Sequence, residues 1–226
     1  VTFSKLKSLG PDETKIENTI KQFGNQHHYV IMGYPPFLKL LVDHSDIDWK
    51  AYNVSFIFGG ESMSEGMRDY LMNKGIKRVY SSLGASDLEL NISAENDFTI
   101  SLRRLLRSNE LLRNRITKHT GALPMLFQYN PSDFLIETSD EGELIITIGR
   151  PDYIAPKIRY NIHDRGHVLP MKELYAILKE LNIDPSTLSK PQTDLPILLH
   201  YGRADSTVSF FGANISPTDI QETIYH

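Results

Sequence analysis

Val54-Ser55-Phe56-Ile57-Phe58 runs straight into Gly59-Gly60-Glu61-Ser62, and beyond it come Met67, Tyr70 and Leu71 at helical spacing, Gly75, and a further apolar run from Ile76 to Ser82. A short apolar run bounded by turn residues reads as a buried strand. The spacing that follows predicts a helix over 64–74 with Met67, Tyr70 and Leu71 as its buried stripe and Gly75 as its stop. Strand, helix and strand in that order imply a parallel pair joined by a right-handed crossover. Ligands of open parallel sheets collect at the carboxyl ends of strands. Gly59-Gly60-Glu61 and Leu83-Gly84-Ala85-Ser86-Asp87 both follow such ends, so the two turns are expected to face one crevice.

Upstream, Pro11 and Asp12 open a helix carrying Ile16, Ile20 and Phe23, and Gly24 ends it. Tyr29-Val30-Ile31-Met32 reads as a buried strand, after which Pro35 and Pro36 start a helix with Phe37, Leu38, Leu40 and Leu41 on its apolar side. His27 and His28 are sequence neighbours that point apart on a strand, so they do not make a metal site. Downstream, Leu102, Leu105, Leu106, Leu111, Leu112 and Ile116 predict one helix or a broken pair over 98–119, its arginines on the wet side. After Gly121 the texture changes to short strands at 125–129, 134–137 and 143–148. The turn residues Thr138 to Gly142 join the last two as a hairpin. A helix over 171–181, a Pro-containing loop and a strand over 195–200 follow. The expected class is α/β, a parallel sheet with helices followed by an antiparallel piece.

The chain has 226 residues, 40% of them hydrophobic, which is enough to fill a sizeable core. A formal net charge of -4 with dispersed Lys and Arg leaves no basic footprint, so nucleic acid is not an expected partner. The absence of cysteine removes disulfides, thiolate metal sites and cysteine nucleophiles, and fits a reducing cytoplasm. No apolar run reaches the length of a membrane span, so no membrane association is expected. The first residue is Val rather than Met, which suggests a partial or processed chain.

Ile158-Arg159-Tyr160-Asn161-Ile162-His163-Asp164-Arg165-Gly166 is the stretch with most chemical content. An extended run breaks there at an Asp close to Gly. A short Asp beside a turn can set two carboxylate oxygens against a vicinal diol, the group that ribose presents. The alternative is that Asp164 caps the turn through nearby backbone amides.

Four stretches in one order carry a family likeness: Gly59-Gly60-Glu61, Leu83 through Asp87, Ile158 through Asp164, and Gly202-Arg203-Ala204-Asp205 through Gly212. Together they resemble the adenylate-forming enzymes, in particular the phenylacetate-CoA ligase group and its relatives in capsule biosynthesis. The likeness runs from about Tyr29 to the C-terminus, interrupted near 98–120. It implies ATP-dependent activation of a small carboxylic acid to an acyl-adenylate, with transfer to coenzyme A or an acyl carrier protein. It also implies that 1–204 is the C-terminal portion of a large domain with an antiparallel β-barrel-like segment, and that 205–226 is a hinge and the start of a small α+β lid.

By this resemblance Gly59, Gly60 and Glu61 lie against adenine, with a tight strand-to-helix turn as the alternative. Gly84 and Ala85 line the junction of adenine and acid pocket, Ser86 binds the α-phosphate and Asp87 holds Mg²⁺, with a helix N-cap as the alternative for Ser86 and Asp87. Asp164 chelates the ribose hydroxyls, Arg203 contacts ribose or phosphate, and Asp205 is the hinge. Gly212 lies near the thiol path. Tyr34 and Pro35 border the acid pocket, although a helix start also explains the proline.

The sequence departs from the family at Leu83, where an aromatic ring usually stacks on adenine, at Asp87, which replaces a Glu, and at Asn161, Ile162 and His163. A Ser/Thr/Gly-rich phosphate loop and the lid lysine are not found in this stretch, and Lys179 and Lys190 lie in the wrong segment to replace the latter. The chain by itself is therefore not expected to adenylate an acid. A non-catalytic nucleotide- or acyl-binding module of the same fold is the alternative, as is an enzyme that passes the acyl group to a carrier protein or an amine. The exposed part of the 98–120 helix is the expected pairing surface if two chains form a homodimer.

Overall fold

The computed structural model describes residues 5–117, 123–150, 157–206, 208–210 and 213–215. The chain is mixed α/β and divides into two compact units, Val1–Val79 and Tyr80–His226.

In the first unit, α1 (Glu13–Phe23) starts where the Asp12 carboxylate accepts the Lys15 N–H, and ends at Gly24, whose N–H returns to Ile20. Then come β1 (His28–Gly33), α2 (Pro35–His44), β2 (Asn53–Phe58) and α3 (Glu65–Asn73). Strands β1 and β2 are parallel, in register from His28 opposite Asn53 to Gly33 opposite Phe58, with α2 in the connection between them. Val54, Ser55 and Phe56 are buried at consecutive positions, the pattern of a strand covered on both faces.

Two expectations fail in this unit. Strand β1 is not buried: Val30 and Met32 are 51% and 68% exposed. An apolar run alone cannot tell a central strand from one that pairs on a single side, and β1 pairs only with β2 among the described residues. The buried positions of α3 are Glu65, Arg68 and Leu71, while Met67 and Tyr70 are only half-buried. Arg68 reaches Glu65 one turn away, Nε to Oε2 at 3.1 Å, and donates through Nη1 to the Val79 carbonyl. An ion pair thus occupies the face that apolar spacing assigns to Met67 and Tyr70. His28 is turned to Ser55 at 2.8 Å, and no cluster of three metal-ligating side chains occurs among the described residues.

The second unit carries β3 (Arg78–Ala85, which begins at the unit boundary), β4 (Glu89–Ala94), α4 (Asp97–Ser108), α5 (Glu110–Ile116), β5 (Met125–Gln128) and β6 (Phe134–Thr138). It continues with β7 (Glu143–Ile148), β8 (Tyr160–Leu169), α6 (Met171–Glu180) and β9 (Ile197–Arg203). The strands from β3 onward follow the linear order β3-β4-β5-β9-β8-β7-β6, antiparallel throughout. The expected hairpin is β6 and β7, in register from Phe134 opposite Ile148 to Thr138 opposite Leu144. Strand β4 was not anticipated. It makes Ser86 and Asp87 part of a tight β3–β4 connection, closed by the Leu88 N–H on the Ala85 carbonyl at 2.9 Å, so neither residue caps a helix.

Of the two readings of 98–119, one helix or a broken pair, the broken pair is found, with the break at Asn109. That residue ends α4 through its own N–H on Leu105 and starts α5 through a side chain that accepts the Leu112 N–H. Phe98, Leu102, Leu106, Leu112 and Ile116 from this pair meet Leu174, Ile177 and Leu178 of α6, and Leu126 and Leu199 of the sheet, in one core. Leu111, read as part of the stripe, is instead 72% exposed, because the break resets the helical face. Arg103 is not on the wet side: it is buried, and its Nε donates to the Pro124 carbonyl at 2.9 Å. The final strands β10 (Val208–Phe210) and β11 (Ala213–Ile215) form a small antiparallel pair. No helix among the described residues is long and apolar enough to cross a membrane.

Candidate functional site

Strand β8 runs unbroken from Tyr160 to Leu169, so Asp164 sits inside a strand rather than at a turn. The expected break is a local twist: the Asn161 side chain accepts the His163 N–H at 2.8 Å, and His163 takes a left-handed φ of 58°. The His163 carbonyl then accepts the Ala204 N–H at 2.8 Å, and Asp164 lies directly opposite Arg203 on β9.

The Asp164 carboxylate is largely sheltered, with its side chain 16% exposed. Its Oδ2 meets His200 Nε2 at 3.0 Å, and its Oδ1 lies 3.7 Å from Arg203 Nη1. The guanidinium also donates to the Ile162 carbonyl at 3.2 Å and reaches Asp205 at 3.6 Å. His200 and Arg203 are three residues apart, a spacing that sends side chains to opposite faces of a regular strand. They converge on one carboxylate because β9 holds an extra residue: Arg165 pairs with Gly202 and Gly166 with His200, which leaves Tyr201 unmatched. Gly202 accommodates the bulge with a φ of 96°. Sequence reading missed His200 for this reason, because only a register that counts Tyr201 out brings it to Asp164.

Asp87 engages the same strand near its start. Its Oδ2 accepts the Tyr160 hydroxyl at 2.8 Å. That hydrogen bond, followed by desolvation and the carboxylate's charge, holds the Tyr160 phenol above the ordinary tyrosine range. The protonated phenol is the form the fold favours, so the contribution of this contact is fully present below the unfolded tyrosine value of about 10 and is lost as pH rises through the higher folded value. Asp87→Asn should bring the titration of Tyr160 down, seen as tyrosinate absorbance with the Tyr160→Phe curve subtracted. An unmoved titration would show that Asp87 is not the cause. Ser86, beside it, is exposed, Gly84 and Ala85 end strand β3, and Leu83 is half-buried within that strand.

Among the first-unit residues singled out from sequence, Gly60 and Tyr34 are neighbours. Gly60 has a φ of 77°, and a Cβ added there would come within 2.7 Å of the Tyr34 ring. Only glycine meets both conditions. Gly59 and Glu61 are half-buried on either side of it, and Pro35 is buried in the first turn of α2 after the Tyr34 cap. Gly212 lies outside the described residues.

A sheltered carboxylate held by an imidazole and a guanidinium still has open lone pairs and can accept from two adjacent hydroxyls. The Asp87 carboxylate, which accepts the Tyr160 hydroxyl, supplies a hard oxygen donor. That fits Mg²⁺, which commonly takes one or two carboxylates and completes its shell with water and substrate phosphates. A cleft of about 250 Å³ in the second unit is lined by Phe98, Tyr175, Pro185, Leu188 and Lys190, and none of the candidate site residues lines it.

No protein-family model and no curated protein sequence matches the chain. Solved structures do match. One is an open conformation of 2-hydroxyisobutyryl-CoA ligase in complex with 2-HIB-AMP and CoA, at a TM-score of 0.54 and 14% identity over 94% of this chain and 44% of that one. Another is PA1221, an NRPS protein containing adenylation and PCP domains, at a TM-score of 0.50 and 11% identity over 96% of this chain and 41% of that one. At these identities the likeness is one of fold, and the chain spans less than half the length of either structure.

Proposed function

We propose that the chain is part of an adenylate-forming enzyme that activates a carboxylic acid with ATP. The observation that carries this reading is the Asp164–Arg203 pairing across β8 and β9, found in a fold shared with a CoA ligase and an adenylation-domain protein. Asp164 accepts from the two ribose hydroxyls. Arg203, anchored on the Ile162 carbonyl, keeps a guanidinium beside the sugar and its phosphate. Ser86 donates to the α-phosphate, Gly84 and Ala85 line the way to the acid, and Gly59, Gly60 and Glu61 take the adenine, with Tyr34 and Pro35 at the acid pocket.

In the reaction a carboxylate oxygen attacks the α-phosphorus, the bond to the β-phosphate oxygen breaks, and pyrophosphate leaves. Mg²⁺, when bound at Asp87, supplies charge neutralisation for the phosphates. The acyl group then passes to a thiol, that of coenzyme A or a carrier protein, as the bond to phosphate oxygen breaks and AMP leaves, and the phenylacetate-CoA ligase group is the branch the motifs favour. Residues 1–204 belong to the large domain with its barrel-like sheet, and 205–226 begin the lid, with Asp205 as the hinge and Gly212 near the thiol path. A cytoplasmic setting suits these cosubstrates.

ATP–pyrophosphate exchange by the full-length protein with a panel of carboxylic acids tests the reading, and absence of exchange with every acid would sink the enzyme claim. In calorimetry, Asp164→Ala should weaken AMP binding about tenfold or more, the size of one or two hydrogen bonds to a charged group. The non-catalytic module is favoured by one observation, the short Asp87 carboxylate already engaged by Tyr160. Binding of AMP without exchange in the full-length protein would select that module.

A further inference from the structure

The ribose reading leaves His200 without a role, although it makes the shorter contact to Asp164, 3.0 Å against 3.7 Å for Arg203. An ionised carboxylate only accepts hydrogen bonds, so His200 Nε2 carries the proton and donates it to Oδ2. The histidine side chain is 15% exposed, and the Phe127 ring stands edge-on to it with centroids 6.3 Å apart. The donor is therefore held by packing. An Asp side chain has two rotatable bonds, and chelation of a vicinal diol requires one setting of the carboxylate plane. Oδ2 spends one lone pair on His200 and keeps the other, while Oδ1 remains available for the second hydroxyl.

We propose that His200 is a positioning residue that fixes the Asp164 carboxylate for a nucleotide with both ribose hydroxyls intact. This deepens the nucleotide reading above and rests on it. His200 does not touch the nucleotide. It sets the angle at which Asp164 presents its oxygens, and so makes the site selective for the unmodified ribose.

The test is calorimetry on the full-length protein with AMP and with the dideoxynucleotide that lacks both ribose hydroxyls. His200→Ala should weaken AMP about tenfold, the size of one hydrogen bond to a charged group, and leave the dideoxynucleotide unchanged. His200→Gln, which keeps a donor, should recover most of the AMP affinity, and melting curves of both variants report whether the fold is intact. Equal loss for the two ligands would overturn the proposal, because a general structural effect does not distinguish them. An unchanged AMP affinity in His200→Ala, with Asp164→Ala weakened, would overturn it while leaving the nucleotide reading standing. If Asp164→Ala binds AMP as tightly as the wild type, the nucleotide reading itself fails and the role of His200 fails with it.

Discussion

Arg68→Ala should lower the unfolding free energy by about 3 to 5 kcal/mol, the usual cost of removing one partner from a buried ion pair. The side chains of Arg68 and Glu65 are 1% and 2% exposed. The guanidinium donates to both Glu65 oxygens and to the Val79 carbonyl, and it lies 5.8 Å from the centre of the Phe58 ring. Its loss removes the cation against which a carboxylate is buried and takes away a backbone partner as well. The paired change Arg68→Met with Glu65→Leu should recover most of the lost stability, since apolar residues of similar volume often replace buried pairs at little cost. Urea denaturation reads both variants. A single-variant loss below about 1 kcal/mol, the range of an exposed ion pair, would mean that the pair is solvated in solution.

Gly166→Ala is the second severe substitution. A Cβ at that position would lie 2.5 Å from the Leu199 carbonyl oxygen and 2.9 Å from a methyl of Leu144. Leu144 could shift, but the carbonyl belongs to the neighbouring strand and can move only by parting β8 from β9. Overpacking of a tight interior costs about 1 to 3 kcal/mol and occasionally more, and a backbone obstacle places this change at the upper end, about 3 kcal/mol. Because Gly166 pairs with His200, the same displacement should loosen the contact between His200 and Asp164. Thermal or chemical unfolding gives the stability, and a variant as stable as the wild type would show that the strands already stand further apart.

The sequence told most plainly where its elements lie, because apolar spacing, Pro starts and Gly stops are local signals. Helix α1, the β6–β7 hairpin and helix α6 follow from such signals alone. Features that depend on a distant partner did not show. The Arg68–Glu65 pair at one-turn spacing looks the same in sequence whether it faces water or core, and Arg103 was placed on the wet side because its acceptor, Pro124, is 21 residues away. Strand β4 has a local signal, since Leu88, Leu90 and Ile92 alternate with polar neighbours, but a run this short lies between a turn and a helix and stays unassigned. Asp164 and Arg203 were singled out by motif order and lie opposite each other on β8 and β9, whereas the approach of His200 required knowing how β9 is paired.

Tyr201 is held in place by its ring, stacked on His167 with centroids 5.9 Å apart. The extra residue in β9 therefore cannot migrate along the strand, and it works as a fixed phase inverter. Every position after it, from Gly202 through Arg203, carries its side chain on the face opposite to the one that counting from Ile197 would assign. A pairing that counted Tyr201 in would turn Arg203 away from Asp164, whereas deleting Tyr201 would remove the extra residue and leave Arg203 on the face of His200, opposite that carboxylate.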